Sequence, residues 1–311
     1  MVRACEPEDG MQGQAVTTMR TGVGAGGRGR RALADGLLGV LIFSGSLPAT
    51  RVAVADLDPV FLTLARAAIA GLAALALLAL LRQPRPERGD LAGLALVALG
   101  VVVGWPLCTA FALQEVTAAH ATVTVACLPL ATALVAVLRG SERPRPVFWL
   151  FAGAGSALVA GVALRHGGGA LSRGDGWLLL GVALCALGYA EGARLARRLG
   201  GWQVIAWALV LSLPLMLPAA VATRPASWAG VGLPALAGLA YVSLFSMLIG
   251  FVFWYRGLAR DGIAAVGQVQ LLQPFASLVL AGLVLGEPVD AGLVVACAAV
   301  VATVAAARRY A

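Results

Sequence analysis

Lysine is missing from this chain of 311 residues, so that all 23 basic side chains are arginine, set against 15 acidic residues and two histidines. Charge is scarce at 12% of residues and aromatics make up only 6%. His120 and His166 are too few for a histidine metal site. The five cysteines form no CxxC pair, and Cys108, Cys127, Cys185 and Cys297 lie inside apolar runs where a thiol packs as a small hydrophobe, so no metal, redox role or cofactor is expected. The chain has no HExxH, no GxSxG and no aspartate pair within a helical stretch, which argues against a membrane-embedded lipid-modifying enzyme. It has no Walker sequence to draw on ATP and no continuous polar ring to line a channel. Residues 1–31 lack an apolar h-region and are rich in Gly, Thr and Arg. They read as a disordered cytoplasmic tail rather than a signal peptide, and Met11 and Met19 within it point to a later natural start.

What is present is apolar side chain. Hydrophobic residues make up 60% of the chain and the mean hydropathy is +0.89, more apolar surface than one soluble core can hide, so the expected solvent is lipid. A spanning helix needs about 20 apolar residues. Cutting the chain at its Arg, Asp/Glu, Pro and Gly clusters yields ten such segments: 33–54, 57–81, 90–113, 117–138, 146–165, 176–197, 202–221, 230–255, 262–285 and 290–308. The net charge of +8 does not signal nucleic acid, because the arginines sit in short clusters between these runs. With the N-terminus in the cytoplasm, eighteen arginines fall on that side and only Arg165, Arg173 and Arg224 on the other, the asymmetry expected when positive residues resist translocation. Both termini are therefore expected in the cytoplasm of a bacterial inner-membrane protein. Trp149, Trp177, Trp202, Trp228 and Trp254 fall at predicted helix ends, where headgroups suit an amphipathic ring.

An offset of 145 residues lays Pro129 on Pro274 and Glu142 on Glu287, and an offset of 140 lays Asp35-Gly36 on Asp175-Gly176. Each unit holds five helices, an odd number, so the second copy must enter the membrane from the opposite side. The expected fold is thus an all-α integral membrane protein of ten transmembrane helices in two inverted five-helix repeats, residues 32–166 and 174–311, an architecture suited to alternating access.

Ser44-Gly45-Ser46 through Asp58-Pro59 to Arg66, Leu272-Gln273-Pro274 with Leu285-Gly286-Glu287-Pro288, and the echo Cys127-Leu128-Pro129 with Gly140-Ser141-Glu142 resemble the EamA-type branch of the drug/metabolite transporter superfamily. Within that branch it resembles the YddG-like amino-acid exporters. The resemblance covers residues 33–308. It implies a carrier with helices 1 to 4 and 6 to 9 around a central cavity, exporting amino acids, other metabolites or, in a multidrug variant, toxic compounds. Relatives with an aromatic-rich first helix differ from this chain, whose first helix carries only Phe43.

Polar groups are costly in lipid, so a polar stripe at helical spacing should face the bundle interior. Predicted helix 9 carries Gln270, Gln273 and Ser277 on one face and Gln268 nearly opposite. The first two are expected either to line a substrate cavity or to bridge helices. Pro129 and Pro274 remove an N–H and are expected to act as hinges or static kinks. Predicted helix 8 carries Ser243, Ser246, Gly250 and Trp254, which the 145 offset maps onto Ala98, Val101, Trp105 and Thr109, making Trp105 a cavity wall or a core residue. Ser44 and Arg51 share a face of helix 1, with Ser46 to one side. Arg51 can snorkel outward and Glu191 lies at the inner end of helix 6, so the two should not pair. Arg66 lies about 13 Å below the outer edge by helical rise. It is expected either to be a hydrogen-bonded buried cation or to bind a substrate carboxylate. His120, at the outer start of helix 4, is a candidate gate or proton shuttle. The expected partners are a small-molecule substrate and the bilayer. Gly153, Ala157 and Gly161 permit close helix packing, and a monomer is favoured over a homodimer.

Overall fold

The computed structural model describes residues 22–115, 127–167, 172–285 and 291–311, and all regular secondary structure among them is helical. The chain begins with α1 (Gly22–Ser44) and α2 (Ser46–Ala53), separated by a turn at Gly45. Next come α3 (Pro59–Leu80), then α4 (Arg88–Val97), which runs through a π-helical stretch (Ala98–Gly104) into α5 (Trp105–Glu115). The middle of the chain forms α6 (Leu128–Leu138), α7 (Pro146–Gly167), α8 (Arg173–Leu199) and α9 (Gly201–Ala222). A second π stretch (Tyr241–Ile249) joins α10 (Leu233–Ala240) to α11 (Gly250–Asp261). A 3₁₀ stretch (Gln268–Leu272) joins α12 (Ile263–Gly267) to α13 (Gln273–Leu285), and α14 (Ala291–Arg309) ends the fold. Among the described residues six helical runs are long and apolar enough to cross a membrane: Gly29–Thr50, Pro59–Leu80, Arg88–Ala112, Arg173–Leu199, Gly201–Ala222 and Leu233–Asp261.

Local chemistry sets these boundaries. The Asp58 carboxylate accepts the N–H groups of Val60 (2.9 Å) and Phe61 (3.0 Å) while Pro59 fills the first turn, satisfying donors that a helix start leaves orphaned. Ser172 and Asp175 form a capping box at α8. Gly200 and Gly262 take φ of +95° and +96°, a region open to glycine, and so turn α8 into α9 and α11 into α12 with one residue each. α1 starts ten residues earlier than the predicted tail boundary, with Gly29 beside the Asp261 carboxylate at the end of α11.

In the bundle α1 lies along α11, α3 along α9, α7 along α14, and α6 and the α4–α5 run both lie along α8. Close approach depends on small residues: Gly100 meets the Gly188 backbone, with its Cβ position 3.1 Å from the Gly188 Cα. The main core gathers apolar residues from both halves of the chain, including Leu94, Val101, Leu128, Ile205, Leu209, Met247 and Val269. Trp254 belongs to this core. It is 0% exposed and rests against Phe43 and Tyr189 with ring centroids 6.2 and 5.5 Å away. This corrects its expected place among the headgroups, since α11 continues seven residues past it to Asp261. Trp177 and Trp228 are exposed, as interfacial rings should be.

Candidate functional site

Four departures from regular α-helix converge on one polar cluster: the turn at Gly45, the second π stretch, the 3₁₀ stretch and Pro274. At the first, Pro48 has no N–H to give to the Ser44 carbonyl, and the Ser277 hydroxyl donates to that carbonyl instead (3.0 Å). Ser44 Oγ reciprocates, donating to the Val40 carbonyl (2.7 Å) and more weakly to the Gln273 carbonyl (3.3 Å). Tyr241 donates its hydroxyl to the Ile42 carbonyl (2.9 Å), and its ring fills the space a side chain at Gly45 would need. The broken first segment is thus tied to α13 and to the π stretch by side chains that replace missing backbone partners.

Beside this junction, Arg66 of α3 donates from Nη2 to Ser246 Oγ at 3.4 Å, and Ser246 donates to Ser46 Oγ at 3.0 Å. Arg66 is partly buried, its Nε has no hydrogen-bond partner, and among the described residues no carboxylate lies within ion-pair distance. The turn at Gly45 redirects Ser46, which the unbroken helical spacing had placed off the stripe. Of the two serines in the second π stretch, Ser246 faces the cluster, whereas Ser243 bonds back to the Leu239 carbonyl one turn earlier at 2.6 Å.

Deeper in the bundle, Gln270 Nε2 reaches both the Tyr189 hydroxyl and Gln273 Oε1, each at 3.4 Å. Tyr189 stands among Phe251, Trp254 and the residues around them, with Phe43 also against Phe251 at 4.8 Å. Gln268 is wholly buried with neither side-chain polar atom partnered. It therefore faces protein even though it lies opposite Gln270. Pro274 sits in the first turn of α13, where the 3₁₀ stretch gives way to α-helix. Pro129 occupies the first turn of α6, where the missing N–H costs no hydrogen bond, and residues 116–126, ahead of Cys127, lie outside the described ones. Trp105 is partly buried against Gly181 of α8 and packs on the main core. His120 lies outside the described residues. Tyr189, Pro48 and Ser46 were missed or set aside on sequence. The one signal that could have found Pro48 is its spacing of four from Ser44.

One end of the bundle is ionic. Asp35 pairs with Arg256 (2.5 Å) and Arg260, Glu191 with Arg139 (2.7 Å) and Arg194 (2.5 Å), Asp90 with Arg198, and Asp261 with Arg308 (2.9 Å). Glu142 accepts the first free N–H groups of α12, from Ile263 and Ala264 (2.7 Å). Glu191 is thus satisfied at the end of the bundle where the arginine clusters lie. At the other end Asp56 accepts from the Gly232 N–H (2.9 Å) and Phe61 meets Trp228.

Comparison with known proteins gives this architecture relatives. The sequence pattern of the EamA-like transporter family matches twice, over residues 32–164 and 172–308. The chain is 64% identical over 277 residues to a protein of Bacillus subtilis (strain 168) named "Uncharacterized transporter YdeK", an alignment covering 89% of this chain and 96% of that one. It is 28% identical over 261 residues to a "Probable terminal-alkyne amino-acid exporter" of Streptantibioticus cattleyicolor, covering 81% of this chain and 84% of that protein. A solved crystal structure superposes with a TM-score of 0.72 at 23% identity, covering 90% of this chain and 99% of that one, which is a likeness of fold.

Proposed function

The chain belongs to the EamA-like transporter family, and from that membership we propose that it is a secondary carrier exporting amino acids or related small metabolites across a bacterial inner membrane. It is a multi-pass membrane transporter and not an enzyme. The observation that carries the finer reading is the convergence of broken helices on the Ser44, Ser46, Arg66, Ser246, Gln270 and Gln273 cluster inside an otherwise apolar bundle. Irregular backbone at membrane depth is tolerated where it is buried or lines a site, and carriers place substrate at such breaks. The name of the Streptantibioticus relative supports amino acids as the cargo class.

Ten crossings in two inverted repeats fit this reading. The offset of 145 carries the first π stretch, 98–104, onto 243–249 within the second, and the family pattern itself matches once per half. Exchanging the halves also maps the α1–α11 contact onto the contact of α8 with α4–α5, and leaves the α3–α9 and α7–α14 contacts in place. Alternating access around a central cavity is then rocking of one half against the other, with Pro274 and Pro129 as hinge candidates. Trp105 and His120 are retained as candidate cavity residues, and a monomer is the working unit.

Transport of radiolabelled amino acids in proteoliposomes of the purified protein tests the reading. Counterflow of one or more amino acids is the expected result. Transport of lipophilic toxic compounds with no amino-acid flux replaces it with multidrug efflux.

A further inference from the structure

We propose that Arg66, together with Ser46 and Ser246, is the subsite that takes the carboxylate of the transported solute, an inference that rests on the amino-acid export reading. The first ground is charge accounting. Asp35, Asp90, Glu191 and Asp261 each sit against an arginine at the ionic end, whereas Arg66 has a serine hydroxyl and no acid among the described residues. An arginine seven residues into an apolar α3 is about 10 Å along the helix axis from its start, and a cation held there without a counter-charge is costly unless a ligand supplies one.

Geometry is the second ground. The one hydrogen bond of the guanidinium among the described residues, 3.4 Å from Nη2 to Ser246 Oγ, is longer than a good N–H···O bond. Nε is buried and unpartnered. The guanidinium edge formed by Nε and an Nη therefore has spare donors in the fork arrangement that matches the two oxygens of a carboxylate. Ser246 already donates to Ser46, so Ser46 Oγ keeps its own hydrogen to give to an anionic oxygen. The third ground is backbone. Ser46 follows the turn at Gly45 and Ser246 lies in the second π stretch, and π insertions recur at functional sites because they reposition side chains that a regular helix would leave elsewhere. These irregularities bring both hydroxyls to the arginine.

The test uses the full chain in proteoliposomes and two probes, propargylglycine, a small terminal-alkyne amino acid, and its carboxamide, which lacks the negative charge. Arg66→Gln is expected to lower propargylglycine transport by about tenfold or more while leaving carboxamide transport near the wild-type rate. Arg66→Lys should restore part of the loss, because a point charge remains without the fork. Ser246→Ala should raise the KM for propargylglycine and not that for the carboxamide. Equal loss of both probes in these variants, or acid transport unchanged in Arg66→Gln, overturns the proposal. If Arg66→Gln fails to insert, the Arg66→Lys and Ser246→Ala contrasts between the two probes decide in the same way. If another radiolabelled amino acid is carried in place of propargylglycine, that acid and its carboxamide become the two probes, and a wild type that moves no amino acid at all overturns the export reading. The subsite is then judged by melting points of the solubilised protein in acetate against acetamide. Stabilisation by acetate that is reduced in Arg66→Lys supports it, and an equal response to the two solutes overturns it.

Discussion

Gly192 shows how little room single residues have in this bundle. It lies against the ring of Tyr255, which is fully buried and donates its hydroxyl to the Gly188 carbonyl at 3.2 Å. A Cβ at Gly192 would overlap that ring, and neither the ring nor the α8 backbone has space to retreat. Overpacking of this kind costs about 1–3 kcal/mol, so Gly192→Ala should lower the melting temperature of the detergent-solubilised protein, whereas alanine at Gly176, which has no neighbour at its Cβ position, should not. Melting curves of the two variants side by side check this. Gln270 makes the opposite case. Its two contacts are long, at 3.4 Å each, so Gln270→Ala removes little stabilisation while deleting a polar group from the proposed path. Transport should fall with the melting temperature nearly unchanged, and a variant that transports like wild type would remove Gln270 from the site.

Among the elements, the run from α12 to α13 is the proposed hinge. A 3₁₀ stretch has poorer hydrogen bonds than an α-helix and marks hinges when it interrupts one, and Pro274 withholds the N–H that would close on the Gln270 carbonyl. Pro274→Ala supplies that N–H. The expected outcome is a more stable protein with slower turnover, read as a higher melting temperature and a lower kcat in proteoliposomes at similar KM. Faster turnover would show that the proline is a static kink. At the ionic end Asp35 ties α1 to α11 through two arginines, each about two-fifths exposed. Because the arginines left behind by Asp35→Asn can be solvated, the cost should be about 1–3 kcal/mol rather than that of a fully buried stranded charge. The variant should also raise the reactivity of cysteines introduced along α1 near Asp35, since in the proposed rocking of the halves this is one of the ion pairs between them that must part to open that end.

For the whole molecule the arginine distribution and the even number of proposed crossings make a single joint prediction: both termini face the cytoplasm. A C-terminal fusion to a reporter active only in the periplasm should therefore be silent, and one active in the cytoplasm should score. The reverse pattern would require an odd number of crossings. The ionic end gives this topology a physical partner, because the carboxylates Asp35, Asp90 and Glu191 meet arginines from the clusters that resist translocation. One set of residues thus both carries the expected orientation signal and ties helices together at one end of the bundle.

Composition and periodicity determined that the chain lives in lipid and where most helical runs lie, and the resemblance carried by short motifs implied the family and a transporter rather than an enzyme. These follow from runs of apolar residues and from short motifs, and both are local in the chain. The Gln270, Gln273 and Ser277 stripe was legible for the same reason, since spacings of three and four on a helix put residues on one face. Only the tertiary structure decided that Ser46 rather than Ser243 meets Ser246 and Arg66, that Trp254 is core rather than interface, and that Glu191 is satisfied while Arg66 is not. Each depends on a break in regular geometry or on a partner about 50 to 200 residues away, and a helical wheel drawn on one unbroken segment contains neither.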